Sequence, residues 1–96
     1  MLINIDVDDL DRAAAFYTRL LGVKVGRRFG ALGMELVGGS APIYLLVKDA
    51  GTPASPSSAD RRRYDRHWTP VHLDFAVPDL DQAVAAALAA GASQEG

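Results

Sequence analysis

The sequence predicts an α+β fold built from a β-α-β-β-β unit that is begun twice and completed once. Three observations carry this. The phrase Val7-Asp8-Asp9-Leu10-Asp11 returns as Val77-Pro78-Asp79-Leu80-Asp81, and each copy opens an alanine-rich segment ending in a glycine, Gly22 or Gly91. Each phrase completes a short run of alternating character, the mark of a half-buried strand. After the first copy only, three further strand-like runs follow, separated by glycine-containing turns.

In the first strand, Ile3, Ile5 and Val7 fall on one side and Leu2, Asn4 and Asp6 on the other. Asp9 then suits an N-cap for a helix over 10–21, with Asp11 in the first turn, where the helix dipole favours negative charge. Leu10, Ala13, Ala14, Tyr17, Leu20 and Leu21 form its apolar stripe. Phe16 and Tyr17 fit the helix–sheet core, and Gly22 suits the left-handed position that ends a helix. Strands are expected over 23–29, 32–37 and 41–47, turned by Gly30 and by Gly38-Gly39-Ser40. Glu35, in Met34-Glu35-Leu36-Val37, faces either way on this pattern.

Residues 49–70 link the two copies. Proline, serine and glycine fill the first half of this segment, which is expected to be a linker without regular structure. The second half, Arg61-Arg62-Arg63-Tyr64-Asp65-Arg66-His67-Trp68, is basic and aromatic. Such a cluster can hold nucleic acid by phosphate contacts and stacking, but no companion patch exists and the total charge is −2. A solvated loop whose arginines pair with nearby aspartates is the expectation, with Trp68 and His67 anchoring the loop or closing over a cavity mouth.

The second copy repeats the start of the first. Val71, Leu73, Phe75 and Val77 alternate with His72, Asp74 and Ala76, predicting a strand over 71–77. Asp79 is placed to cap a helix over 80–90, with Gln82 at capping-box spacing and Leu80, Ala83, Val84, Ala87 and Leu88 as its stripe. The organisation expected is a complete unit at 1–48, a linker at 49–70, and the strand and helix of a second unit at 71–96. Further chain or a partner chain would complete that unit.

Composition sets outer bounds. The 96 residues make room for one small domain, and 49% hydrophobic with 23% charged content is that of a globular chain. With no cysteine there is neither a disulfide framework nor a thiolate metal site. The start lacks the basic segment and long apolar run of a signal peptide, and no stretch approaches the roughly 20 apolar residues that span a bilayer. A cytoplasmic protein without nucleic-acid or membrane partners is expected.

The repeated unit, with V-x-D-L-x-x-A-x-x-F-Y-x-x-L-L-G running from Val7 to Gly22, resembles the glyoxalase/bleomycin-resistance/dioxygenase superfamily, or vicinal oxygen chelate fold. The residues carrying the likeness are Val7, Asp9, Leu10, Ala13, Phe16, Tyr17, Leu20, Leu21 and Gly22. A weaker set is Val77, Asp79, Leu80, Ala83 and Gly91. The resemblance implies tandem units forming a curved mixed sheet around a cavity, helices on the outer face, and a homodimer. Members include lyases, ring-cleaving dioxygenases and antibiotic-binding proteins without catalysis, so the fold alone assigns no activity.

The resemblance also implies where a metal would be held, on the first and last strands of each unit. Those places match Leu2, Tyr44 and His72 in this sequence, and of the three only His72 is a good ligand. The cavity face would carry Asn4, Asp6, Tyr44, His72 and Asp74, polar groups suited to orienting a ligand on a partly apolar wall. Asp74 could orient His72, and either aspartate could replace a missing metal donor.

The expectation is a protein that binds a small organic molecule in the sheet cavity without the family's usual metal site and with no cofactor. The alternative is a divalent-metal-dependent lyase or dioxygenase using His72, with Asp6 or Asp74 as replacement donor and ligands from another chain. A third reading is an interaction protein whose open sheet serves assembly.

Overall fold

A computed structural model of the chain describes residues 1–95; Gly96, the last residue of the expected second unit, lies outside the described residues. Among the described residues six elements follow in order: β1 (Ile3–Val7), α1 (Leu10–Leu21), β2 (Lys24–Arg28), β3 (Gly33–Val37), β4 (Ile43–Val47) and α2 (Leu80–Ala89). The strands form one open, curved mixed sheet in the order β1-β4-β3-β2. β1 and β4 are parallel, with Asn4 opposite Tyr44 and Asp6 opposite Leu46. Parallel neighbours need a long connection, which α1 and the β2–β3 hairpin supply. β3 pairs antiparallel with both β4 and β2.

Sequence fixes α1 at both ends. Asp9 Oδ1 accepts from the Arg12 N–H at 3.0 Å, and Gly22, at φ 67°, donates its N–H to the Thr18 carbonyl at 3.0 Å. Its apolar face covers one side of the sheet. Val7, Ala14, Val23, Met34, Leu36, Ile43 and Leu45 form the buried core, packed by Ile3, Ile5, Leu10, Ala13, Tyr17, Leu21 and Val47. Met34 lies opposite Leu45 and Leu36 opposite Ile43, so the core is two adjacent cross-strand rows. Full burial of side chains this size contributes about 1.5–3 kcal/mol each. Phe16 stands outside this set, edge-on to Tyr17 at 5.1 Å between ring centroids.

The second copy forms its helix. Asp79 Oδ1 accepts from the Gln82 N–H at 3.0 Å, and Gly91, at φ 107°, follows the last turn. α2 lies against α1, and none of its residues is buried.

Residues 71–77 depart from the expected strand: they have no ladder partner among the described residues and every one is exposed. Alternation marks a segment able to pair, but a strand exists only when another strand takes its N–H and C=O groups. The sheet ends at β1 without this segment, whose Val71 carbonyl accepts from the Thr69 hydroxyl at 3.1 Å instead of from a neighbouring strand. The radius of gyration, 14.2 Å, exceeds the roughly 12.5 Å of a compact domain of this length, consistent with a C-terminal part lying outside the core.

The segment between β4 and residue 71 holds more structure than its composition predicts. Pro53 and Arg61 form an isolated antiparallel bridge. The Gly51 N–H donates to the Arg62 carbonyl at 2.7 Å, and the Arg62 N–H to the Thr52 carbonyl at 2.8 Å. The Tyr64 hydroxyl ties the loop back to the Lys48 carbonyl at 2.6 Å. Among the described residues no helix is long and apolar enough to cross a membrane.

Candidate functional site

Alternation in β1, β4 and β3 sends Ile3, Ile5, Val7, Ile43, Leu45, Met34 and Leu36 toward α1. It leaves Asn4, Asp6, Tyr44 and Glu35 on the opposite face. Register lines three of these up: Asn4 is opposite Tyr44, and Tyr44 is opposite Glu35. The open question of Glu35 is thus answered, since it shares the polar face.

The fourth strand joins this row through an irregularity. Val25 pairs with Leu36 and Arg28 with Met34, so Gly26 and Arg27 together face Glu35 in a bulge. The Glu35 carboxylate accepts from the Arg27 backbone N–H at 3.2 Å, from Nε at 3.4 Å and from Nη2 at 3.1 Å. Arg27 Nη2 also donates to the Tyr44 hydroxyl oxygen. Gly26 makes room for this: a Cβ there would lie 2.6 Å from Glu35 Oε1.

The bulge also explains why sequence alternation missed Arg27. An extra residue changes the phase, so Arg27 cannot be placed by counting from Val25. A glycine inside a strand-like run, Val25-Gly26-Arg27, was the available signal.

Electrostatics follow from the pairing. The Arg27 guanidinium, then its backbone N–H, hold the Glu35 carboxyl below its usual range, with the Tyr44 hydroxyl adding to the effect. The hydrogen bond to Glu35 likewise raises Arg27. Glu35 is 13% exposed and Arg27 68%, so the carboxylate is sheltered while the cation reaches solvent. Phe29 completes the surface. Its ring centroid lies 5.3 Å from that of Tyr44 and 5.8 Å from the Arg27 guanidinium carbon. Beside the ring, Gly33 leaves room for the neighbouring strand, since a Cβ there would sit 3.0 Å from the Leu45 carbonyl oxygen.

Toward β1, Asp6 is engaged from the loop. Arg62 Nε donates to Asp6 Oδ2 at 2.8 Å, and Nη1 donates to the Pro53 carbonyl at 2.6 Å. This is the expected pairing of a loop arginine with an aspartate. Two more loop arginines pair with carboxylates, Arg63 with Asp65 and Arg66 with Glu95. Between Asp6 and the loop lies an open groove of about 1040 Å³, walled by Arg62, Arg63, Tyr64, His67 and Trp68. A second groove of about 490 Å³ adjoins it across His67, Trp68 and Thr69 and reaches His72. Burial raises the Tyr64 hydroxyl above its ordinary pKa, with the Asp6 charge adding.

The structure therefore brings Asn4, Asp6 and Tyr44 onto one face and sets His72 in the adjoining groove, away from the strand row. Asp74 is exposed, and neither it nor His72 makes a hydrogen bond or ion pair among the described residues, so the aspartate does not orient the histidine.

A divalent ion at the places the resemblance implies does not suit these side chains. Leu2 offers no donor, and the Tyr44 hydroxyl already accepts from a guanidinium. Glu35, the nearest carboxylate in the row, is committed to that same fixed positive charge, which would repel a second cation. Among the described residues no three His, Asp or Glu side chains gather as a metal cluster.

The β-α-β-β-β unit, with its apolar face under a helix and its polar face free, defines a glyoxalase-like architecture. The chain belongs to the glyoxalase-like domain family, whose pattern matches residues 2–96. Among solved structures it is similar to a hypothetical protein from S. aureus, at 23% identity and a TM-score of 0.63, covering 95% of this chain and 68% of that one. It is also similar to a lactoylglutathione lyase from Agrobacterium tumefaciens, at 19% identity and a TM-score of 0.58, covering 93% of this chain and 67% of that one. At these identities the likeness is one of fold. Among curated proteins no match was found.

Proposed function

We propose that this chain captures a small organic molecule against the polar face of its sheet and does so without the metal site its family often uses. The observation that supports this is the transverse row Asn4, Tyr44, Glu35 and Arg27, one residue from each strand, beside the exposed ring of Phe29. Polar groups at fixed positions next to aromatic surface suit a ligand that buries an apolar body and needs its orientation set. In this reading Asn4, Asp6 and Tyr44 orient the ligand and His72 contributes from the groove that continues past Trp68. For Asp74 the support is its place in the repeat alone. A homodimer and a cytoplasmic location belong to the same reading, the first by resemblance and the second by composition.

Thermal-shift screening of the purified chain against aromatic and peptide-like small molecules tests the proposal. A stabilising compound whose effect is lost in Tyr44→Ala is the expected result; no stabilisation by any compound at its solubility limit contradicts it. Metal analysis of protein prepared without chelators tests the second half. Stoichiometric divalent metal that disappears in His72→Ala would overturn the metal-free reading in favour of a metal-dependent lyase or dioxygenase.

A further inference from the structure

The guanidinium of Arg27 is held on one edge and free on the other. Glu35 takes Nε and Nη2, and Tyr44 takes the remaining hydrogen of Nη2. Nη1, with two N–H donors, makes no hydrogen bond among the described residues. Because Glu35 is sheltered and Arg27 is 68% exposed, the occupied edge faces the sheet and leaves a donor group toward solvent. Two guanidinium bonds to the Glu35 carboxylate and one to the Tyr44 hydroxyl fix the orientation of a side chain that would otherwise lose rotamer entropy on binding.

Next to this donor lies the ring of Phe29, 40% exposed although it packs near Tyr44. A held cation beside a partly exposed aromatic ring suits a ligand with a planar anionic head and a flat apolar body. Resting on the reading of the sheet's polar face as a small-molecule site, we infer that Arg27 Nη1 and the Phe29 ring form a subsite for the carboxylate and ring of a small aromatic acid. The permanent positive charge of Arg27, which disfavours a metal ion beside Glu35 and Tyr44, here serves the ligand's oxygen atoms directly. The Arg27–Glu35 pair is neutral as a unit, so attraction acts through the directed Nη1 hydrogen bonds at short range and not through long-range steering.

Nuclear magnetic resonance titration of the whole chain tests this, with benzoate as the probe and benzyl alcohol as its uncharged counterpart. Benzoate is expected to shift the Arg27 Nε–H and the Phe29 and Tyr44 signals saturably, and benzyl alcohol to bind at least about tenfold more weakly. Arg27→Met should lower benzoate affinity about tenfold or more and leave benzyl alcohol unaffected. The double variant Arg27→Met with Glu35→Gln removes both charges together and should show the same loss without leaving a lone sheltered carboxylate. Equal binding of the two probes, or benzoate affinity unchanged in the double variant, overturns the subsite. If both probes still shift Asn4, Asp6 and Tyr44 in that case, the sheet-face reading survives the loss of the inference. If neither probe moves any polar-face signal at its solubility limit, the subsite fails, while the sheet-face reading is decided by the wider compound screen.

Discussion

Glu35 and Tyr44 are cross-strand partners on β3 and β4, and both hydrogen-bond the same guanidinium, that of Arg27. This contact joins three strands on the polar face through their side chains. It gives the acid response of the fold a definite sign. Glu35 is depressed in the folded chain, so its stabilising contribution is complete above the unfolded carboxyl value, about 4.3, and is lost as pH falls through the folded value. In urea unfolding, the stability gap between the native sequence and Glu35→Gln should be open at neutral pH and close below about pH 4. A gap independent of pH would show that the ion pair contributes nothing through charge.

Gly26→Ala separates the pair from the backbone. The new Cβ would meet Glu35 Oε1 at 2.6 Å, the end of a side chain able to swing away, and Val37 Cγ1 at 3.2 Å. A Gly-to-Ala change also restricts the unfolded chain, which favours folding by about 0.4–1 kcal/mol. The variant should therefore remain folded, within about 1 kcal/mol of the native sequence, yet lose the acid dependence assigned to Glu35. Retention of that dependence would show that the carboxylate does not need the glycine.

Leu45 tests the opposite face. It is 0% exposed between α1 and the Met34 side of β3. Leu45→Ala should cost about 2–5 kcal/mol in chemical denaturation, because a cavity in so small a core has few neighbours to collapse into it. A loss under about 1 kcal/mol would place the core elsewhere.

Arg62 tests whether the loop is fastened to β1. Arg62→Ala removes the bonds to Asp6, Thr52 and Pro53. Amide exchange at Gly51 and Ala54 should quicken, while stability falls by only about 1–2 kcal/mol. Unchanged exchange there would mean that the backbone bonds alone hold the segment.

How much of this was legible in the sequence differs by element, and the reason is physical. α1 and the strands packed on it were readable because burial enforces their periodicity: Leu10, Ala14, Tyr17 and Leu21 at helical spacing, Ile43 and Leu45 at strand spacing. Their polar neighbours Asn4, Asp6 and Tyr44 followed by subtraction. Arg27 was not readable, because the bulge at Gly26 shifts the alternation within β2. Nor was the state of 71–77, since alternation reports an ability to pair and not the presence of a partner. The Arg62–Asp6 contact spans 56 positions, a distance at which local pattern carries no information.

The central claim is that a small organic ligand rests on the polar sheet face. Chemical-shift mapping of a stabilising compound on the isotope-labelled chain tests it most directly. The account predicts that the shifts concentrate at Asn4, Asp6 and Tyr44 and that Tyr44→Ala weakens binding. Shifts confined to the α1–α2 surface, with Tyr44→Ala binding as tightly as the native chain, would contradict it.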